Sequence, residues 1–377
     1  MLFPFTESFQ ATASLRYDDI SAVEDKLNGT GDIDAGDDGT TYKISALWNL
    51  NDAVAFRASY GTGFKAPSMR EIGEPRSEFG VTSGTFVCPF LDPADPLEQY
   101  CRRSATGDQY DVFREGSAAL EFETSTQYSA GVVLTPMDRL DMTVDYWNIE
   151  LENLVERLTE SQIFNNAELY RDLFTTKTNL ATGREFLAII QAAVNAGTRK
   201  QDGIDYQVNW GFDVGAAVDL ELNLRGTYIM ESESSLTGSS LGRFGNDDAV
   251  VFRNVLNLGG TLYHGNFVHT LWANYRSGYD DQEQTVEITG TGVPLGQGPT
   301  TDVMLDVDSY TVANYSLRYT MLDDALGITF GISNLLDEQP PLSLRTSGSG
   351  HQVGWDPRYV DPYGRTFYLQ ANYTIKH

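Results

Sequence analysis

This chain of 377 residues is poor in cysteine, in basic side chains and in long apolar runs. Two cysteines cannot build a zinc framework of about four thiolate ligands. Lys and Arg number 26 against 53 Asp and Glu, a net charge of −27, which excludes nucleic acid as a partner because its phosphates require clustered cations. No run approaches the roughly 18 apolar residues of a transmembrane helix. These absences leave a protein that would have to use strands if it crosses a membrane.

Period-two alternation of apolar and polar residues is the dominant pattern. In one run Leu220, Leu222 and Leu224 alternate with Glu221 and Asn223. Such alternation, enriched in aromatic and β-branched residues, predicts strands with one apolar and one polar face. We count about 12 of them. They cover residues 9–17, 42–50, 54–60, 128–134, 140–146, 204–212, 218–230, 256–262, 267–275, 311–319, 326–332 and 366–375.

The connections between these strands alternate between short and long. Short turns follow every second strand. The long polar connections are residues 18–41, 62–123, 152–202, 232–249, 278–308 and 335–362. This sorting is typical of a transmembrane barrel with short periplasmic turns and long extracellular loops, and a bilayer also requires the strands to close so that no backbone group is left unpaired. The sequence therefore predicts an all-β fold, an antiparallel transmembrane β-barrel whose apolar face meets outer-membrane lipid.

Two of the long extracellular loops have features of their own. The loop of residues 62–123 contains both cysteines, Cys88 and Cys101, and a disulfide between them is the favoured interpretation, with two free thiols as the alternative. In the loop of residues 152–202, apolar residues recur at helical spacing over 168–174 and 184–194. We therefore expect short helices in this loop.

Basic and aromatic side chains collect in the cysteine-bearing loop of an otherwise acidic chain. The candidates for ligand binding are Arg76, Arg102, Arg103, Tyr110 and Arg114. A cationic patch there would attract an anionic ferric chelate or an acidic oligosaccharide. The alternative is a solubilising surface in which neighbouring acids balance these charges. The acids are Asp92, Asp95, Glu98, Asp108 and Asp111.

Four segments resemble the C-terminal part of TonB-dependent outer-membrane receptors. They are residues 58–72 (ASYGTGFKAPSMREI), 195–205 (NAGTRKQDGID), 334–341 (NLLDEQPP) and 361–368 (DPYGRTFY). The positions that match the family's motifs are Gly63, Phe64, Ala66, Pro67, Ser68, Asn334, Leu335, Asp337, Gly364 and Arg365. By their chemistry these residues end strands and turn the chain. None is a catalytic group, and the resemblance implies no metal and no cofactor.

The resemblance implies a receptor in the bacterial outer membrane that takes up a scarce nutrient, such as a ferric siderophore or an oligosaccharide. The family combines a plug domain, driven by the TonB system, with a barrel of about 22 strands. Residues 1–377 resemble the C-terminal part of that barrel, without a recognisable plug or secretory signal. We therefore expect a fragment, whether a truncated gene or an incomplete reading of one.

Two other functions remain open at this point. One is a passive pore in which the predicted strands close on themselves. The other is an outer-membrane lipase, because residues 238–242 match G-x-S-x-G with Ser240 as the nucleophile. That motif has catalytic meaning at a strand-to-helix turn of a parallel sheet. Here it lies in a predicted external loop between antiparallel strands, so we expect that the protein is not an enzyme.

Overall fold

The computed structural model shows a chain that is nearly all β. It describes residues 2–4, 6–20, 23–25, 31–33, 37–245, 249–288, 292, 294, 298–323, 325–344, 346–347, 351–352 and 354–374. The strands are β1 (Leu2–Pro4), β2 (Phe9–Ile20), β3 (Val23–Asp25), β4 (Gly31–Ile33), β5 (Asp37–Asn51), β6 (Val54–Lys65), β7 (Ser77–Val81), β8 (Asp111–Glu115), β9 (Glu123–Met137), β10 (Leu140–Glu152), β11 (Val155–Arg157), β12 (Phe174–Thr178), β13 (Glu185–Asn195), β14 (Thr198–Asp213), β15 (Val218–Ser234), β16 (Gly238–Ser239), β17 (Asn254–His264), β18 (Phe267–Arg276), β19 (Tyr279–Asp280), β20 (Gln284–Glu287), β21 (Thr300–Val303), β22 (Asp306–Val307), β23 (Tyr310–Met321), β24 (Leu326–Ser333), β25 (Thr346–Ser347), β26 (His351–Gln352) and β27 (Thr366–Tyr373).

In the part of the chain that the structure describes, helical structure is confined to four short pieces. They are the α-helices α1 (Met69–Gly73) and α2 (Glu160–Asn165) and the 3₁₀ turns Glu98–Tyr100 and Arg171–Leu173. Among the described residues, no helix has both the length and the hydropathy needed to cross a bilayer.

One antiparallel sheet of 14 strands dominates the fold. Its strands follow one another in the order β1-β2-β5-β6-β9-β10-β14-β15-β17-β18-β23-β24-β27, with β16 paired to β15 at the side. Every predicted strand is present in this sheet, which confirms the antiparallel barrel architecture. Of the last predicted strand, Ile375 lies outside the described residues. Within the described part of the chain, no hydrogen bonds join β1 to β27.

The register aligns apolar residues on one face of the sheet and polar residues on the other. Leu258 on β17 lies between Leu224 on β15 and Ala273 on β18. The next row joins Arg225, Asn257 and Asn274 across the same strands. Because neighbours in a row share a face, the alternation along each strand places apolar residues mainly on one face of the sheet and polar residues mainly on the other.

The apolar face is open rather than packed against protein. Leu258 is 52% exposed and Leu271 on β18 is 49% exposed, although both lie in the middle of long strands. Leucine rows of this kind are typical of the surface that a barrel turns to lipid, whereas the polar rows face the lumen. The sheet therefore has the inside-out polarity expected from the sequence.

The loop after β6 and the loop after β10 fold together into one small unit, which we call the loop subdomain. The strands confine these loops to residues 66–122 and 153–197, slightly shorter than predicted. Their sheet has the order β11-β13-β8-β7, with β12 also paired to β13, and the β13–β8 pair is parallel. Its core includes Phe90, Ile163 and Ile189. Cys88 and Cys101 are disulfide-bonded within this core, with Cα atoms 5.7 Å apart.

The helix predicted over residues 184–194 is wrong, because this segment forms β13. Ala188 and Ile189 point to opposite faces of the strand, and both are fully buried. A central strand that is covered on both faces has a continuous apolar run, and such a run carries no period that separates it from a buried helix. Over residues 168–174 the structure has only the 3₁₀ turn Arg171–Leu173. The α-helix of this loop lies earlier, at α2, where Thr159 caps its first turn.

Two of the family-like segments meet at the external end of the sheet. After β24, the Asn334 side chain accepts a hydrogen bond from the Glu338 N–H and donates one to the Glu338 carbonyl, both at 2.8 Å. Asp337 accepts a bond from the Arg365 N–H at 2.8 Å, just before β27. A Cβ atom at Gly364 would lie 2.9 Å from the same carboxylate, and Gly364 has φ +63°. These motifs therefore fasten the start of β27 to the turn after β24.

The segment 58–72 performs a similar task at the end of β6. Phe64 stacks on Phe122 from the other end of the loop, with ring centroids 5.1 Å apart. The chain then turns at the buried Pro67. Ser68 and Glu71 form a capping box that starts α1, with hydrogen bonds of 3.3 and 2.6 Å. This motif too is a strand-end device, as its chemistry predicts.

Substitution of the mid-strand Leu271 by arginine tests which face meets lipid. An arginine side chain at the bilayer midplane costs about 2–4 kcal/mol, so Leu271→Arg should lower the free energy of unfolding by that amount. The measurement is urea unfolding of the chain refolded into phospholipid vesicles. The matched control is Thr270→Arg, next along the strand on the lumen face, which should lose far less. Equal losses in the two variants would contradict the assignment of faces.

Removal of the Asp337 carboxylate tests the fastening of β27. Asp337→Ala leaves the Arg365 N–H without its acceptor and places alanine at φ +58°, so we expect a loss of about 1–2 kcal/mol. Asp337→Asn keeps an acceptor and tolerates this backbone conformation, so it should retain most of the stability. Amide exchange at Arg365 in both variants is the measurement. Unchanged protection in Asp337→Ala would show that the carboxylate does not fasten the strand.

Candidate functional site

A cavity of about 460 Å³ lies at the external end of the barrel wall, where the long loops begin. The side chains that give it its chemistry are Asn257, Asn274, Arg276, Tyr310, Asn314 and Tyr359. Strands β17, β18 and β23 supply the wall, and the segment of residues 359–364 adds a roof. Its volume is within the usual range for small-molecule sites, about 300–1,000 Å³.

The wall presents side-chain amides to the lumen. Asn257 and Asn274 are direct partners across β17 and β18, and both are exposed. Neither amide bonds to another group in the part of the chain that the structure describes. Asn314 on β23 is 8% exposed, and its Oδ1 atom accepts a hydrogen bond from the Asn334 N–H at 3.0 Å. The wall therefore holds two available amides beside a third that supports the turn after β24.

Tyr359, Asp361 and Tyr363 are the main side chains of the roof, and Tyr310 of the wall contacts it. The Tyr310 hydroxyl donates to the Asp361 carbonyl at 3.3 Å. The Asp361 carboxylate accepts a bond from the Tyr363 N–H at 2.9 Å. The Tyr359 hydroxyl accepts a bond from the Val250 N–H at 2.9 Å, so it is tied to a separate loop. The roof is thus held at several points, while the Tyr363 ring is 82% exposed at its rim.

Arg276 connects the wall to the roof. Its guanidinium donates a hydrogen bond to the Tyr359 carbonyl and lies 5.7 Å from the centroid of the Phe252 ring. Phe252 in turn packs edge-on against Tyr359, with centroids 4.9 Å apart. Behind them, burial raises the pKa of Tyr279 to about 12, which keeps this loop residue neutral. Arg276 and Asp361 are the two charged residues among the described lining of the cavity, so their formal charges cancel.

The five ligand-binding residues predicted from the sequence lie in the loop subdomain and do not line this cavity. Three of the four arginines are paired with carboxylates. Arg76 pairs with Glu115 at 2.5 Å, Arg102 with Asp111 at 3.0 Å, and Arg103 with Glu98. The Glu115 carboxylate raises the pKa of the Arg76 guanidinium. The neighbouring acids therefore neutralise much of the expected cationic patch.

The other two predicted residues are part of the subdomain's packing. The Arg114 guanidinium carbon lies 3.2 Å from the centroid of the Phe79 ring. Tyr110 is fully buried beside Phe164, with ring centroids 4.9 Å apart, and burial raises its pKa to about 12. Its hydroxyl has no hydrogen-bond partner among the described residues. A direct role of all five residues in ligand binding stays a prediction.

The residues of the cavity were missed by sequence analysis, although part of the signal was present. Alternation already assigns Asn257 and Asn274 to the polar face of their predicted strands, and Arg276 follows directly after the second of these strands. What it does not give is the register that aligns the two asparagines, or the loop that returns over them. Tyr310 and Tyr359 are 49 positions apart and meet only because β23 and β27 lie on either side of β24.

Ser240 does not lie in a nucleophile elbow. It follows β16, which pairs with β15 in an antiparallel manner, and it is 6% exposed. Its carbonyl accepts a bond from the Val251 N–H at 3.0 Å. The G-x-S-x-G motif is catalytic at a strand-to-helix turn, and Ser240 does not lie at such a turn.

Among the described residues, no group of three or more His, Cys, Asp and Glu side chains is placed to hold a metal ion.

Solved outer-membrane receptors share this fold. The chain is similar to the siderophore receptor PirA from Acinetobacter baumannii, with 18% identity, a TM-score of 0.62, and coverage of 99% of this chain and 44% of that one. It is similar to a mutant of the ferric enterobactin receptor PfeA from Pseudomonas aeruginosa in complex with enterobactin, with 16% identity, a TM-score of 0.62, and coverage of 98% of this chain and 43% of that one. It is also similar to the outer membrane transporter YddB from Escherichia coli, with 13% identity, a TM-score of 0.56, and coverage of 97% of this chain and 43% of that one.

These structures show the fold, and this chain spans less than half the length of each of them. Comparison with curated protein sequences gives no match. The family model described as "TonB dependent receptor-like, beta-barrel" matches residues 2–335, which confirms the family predicted from the sequence motifs. The chain therefore belongs to the family of TonB-dependent receptor-like β-barrels.

Proposed function

We propose that this chain forms the nutrient-binding wall of an outer-membrane receptor for TonB-dependent uptake. Its family and its structural neighbours are outer-membrane receptors and transporters rather than enzymes. The observation that carries the proposal is the cavity at the external end of the lumen. Two amides that have no partner among the described residues face it, and a tied loop covers it.

The position of the cavity suits capture from outside the cell. Its wall consists of strand ends on the side of the long loops. A ligand from outside the cell would therefore meet the cavity before it entered the lumen. The proposed partners are outer-membrane lipid, the TonB system, a plug domain of the kind that the resemblance implies, and a small-molecule or oligosaccharide ligand. In this scheme the wall binds and orients the nutrient, and the energy-coupled partners move it inward.

The roof has a specific part in this proposal. Segment 359–364 is held at several points, and Arg276 provides one of them through the Tyr359 carbonyl. A cavity whose roof is held in place binds more tightly than one whose roof must be ordered by the ligand, because the ordering cost is already met. Arg276 is therefore a positioning residue, and it contributes to binding through the shape of the cavity.

Growth of the source bacterium tests the uptake function. A strain that lacks this gene should grow poorly on one nutrient in a panel of sole carbon and iron sources. The intact gene should restore that growth when TonB is present and fail to restore it in a strain without TonB. Restoration that is equal in both backgrounds would show passive diffusion, as in a self-contained pore, and would overturn the proposal.

Replacement of Arg276 tests the positioning of the roof. Arg276→Gln removes the charged donor to the Tyr359 carbonyl, so amide exchange in residues 354–364 should become roughly tenfold faster, as expected for a lost charge-assisted bond of about 1.5 kcal/mol. Arg318→Gln is the matched control, since Arg318 also faces the lumen on β23 but lies outside the cavity. Hydrogen–deuterium exchange of both variants in detergent micelles is the measurement. Equal exchange in wild type and Arg276→Gln would remove Arg276 from this role.

A further inference from the structure

We propose that the cavity takes an uncharged, polyhydroxylated ligand, of which a neutral oligosaccharide is the natural chemical form. This inference rests on the proposed receptor function and narrows it to one class of nutrient. It follows from the donors and acceptors of the wall, from the aromatic roof, and from the balance of charge around both.

The wall offers donors and acceptors in equal measure. Each side-chain amide of Asn257 and Asn274 has an NH₂ group that donates and a carbonyl oxygen that accepts. A sugar hydroxyl also donates and accepts, so adjacent hydroxyls can use both halves of an amide. A carboxylate or a catecholate only accepts, and it would leave the amide carbonyls of both asparagines unpaired in a partly closed cavity. Unpaired polar groups of this kind reduce affinity.

The roof suits the apolar face of a sugar ring. Tyr310, Tyr359 and Tyr363 line the same cavity, so three aromatic side chains contribute to its surface. Tyr363 projects at the rim, 82% exposed, where a longer chain could continue out of the cavity. Amphipathic rings beside fixed polar groups are the general pattern of sites that orient a polar organic ligand.

The charges around the cavity argue against an anionic ligand. Arg276 is already engaged by the Tyr359 carbonyl and the Phe252 ring, and Asp361 offsets its charge. The whole chain carries −27, so an approaching anion meets a repulsive field. The arginines of the loop subdomain add little attraction, since three of the four are paired with acids.

One lumen-facing cation defines the competing outcome. Arg225 on β15 is the direct cross-strand neighbour of Asn257, outside the cavity, and it is exposed. It has no ion-pair partner among the described side chains. A ligand that carries a carboxylate or a ferric catecholate would use Arg225, whereas a neutral one would depend on the two asparagines. The two classes of ligand therefore depend on different side chains.

The experiment measures binding of the full 377-residue chain in detergent micelles to an array. The array carries neutral oligosaccharides, the matching uronic-acid oligosaccharides, and a ferric tris-catecholate. Wild type should bind one or more neutral oligosaccharides and prefer them to their uronic-acid counterparts. Asn257→Leu with Asn274→Leu should weaken this binding at least tenfold, because each lost hydrogen bond accounts for roughly a five- to tenfold change.

Two further variants make the result decisive. Asn223→Leu removes a lumen-facing amide one row away, outside the cavity, and should leave binding within twofold of wild type. Arg225→Gln should also leave neutral binding unchanged. Preferred binding of the uronic acids or the ferric catecholate, with loss in Arg225→Gln, overturns this inference and leaves the receptor function intact. Binding of no neutral oligosaccharide, or equal loss in Asn223→Leu, overturns it too, while failure of TonB-dependent growth overturns the receptor function itself.

Discussion

The fold depends on one constraint, which is that hydrocarbon offers no hydrogen-bond partners to the backbone. Each strand must therefore satisfy its N–H and C=O groups on its neighbours, and the antiparallel ladder does so for the strands that lie between β1 and β27 in the sheet. The same constraint makes the two faces of each strand chemically different. Leu258 can remain half exposed because lipid covers it. The Asn257 side-chain amide beside it has no partner among the described residues, and water in the lumen can hydrate it. Polarity that would be wrong for a globular core is required here.

The ladder also explains what the family-like motifs do. Where a strand leaves the bilayer, its pairing ends, and the freed backbone groups need other partners. Asp337 supplies one to the Arg365 N–H, and the Asn334 side chain closes the turn through both bonds to Glu338. Ser68 and Glu71 do the same at the end of β6. The motifs recur at strand ends because that is where the backbone loses its neighbours.

How much of the fold could be predicted from the sequence depended on whether one face of a strand is polar. Alternation has a period of two residues, so the sequence alone shows which strands exist and which face of each is polar. Burial on both faces hides that period, which is why the run around Ile189 is helix-like in sequence and a strand in the fold. The cavity could not be predicted from the sequence for another reason. Its two asparagines become neighbours only through the register of β17 and β18, and its roof comes from residues 359–364, which follow β24 in the chain.

The loop subdomain and the cavity differ in how their charged residues are arranged. In the loop subdomain, Arg76 pairs with Glu115 and Arg102 pairs with Asp111, so these charges connect parts of the same loop. The cavity itself has one charged residue of each sign, Arg276 and Asp361. Three of the four arginines predicted to bind a ligand are therefore engaged within the protein. In the proposed recognition of a neutral ligand, the register of β17, β18 and β23 sets the positions of the amides that would donate and accept.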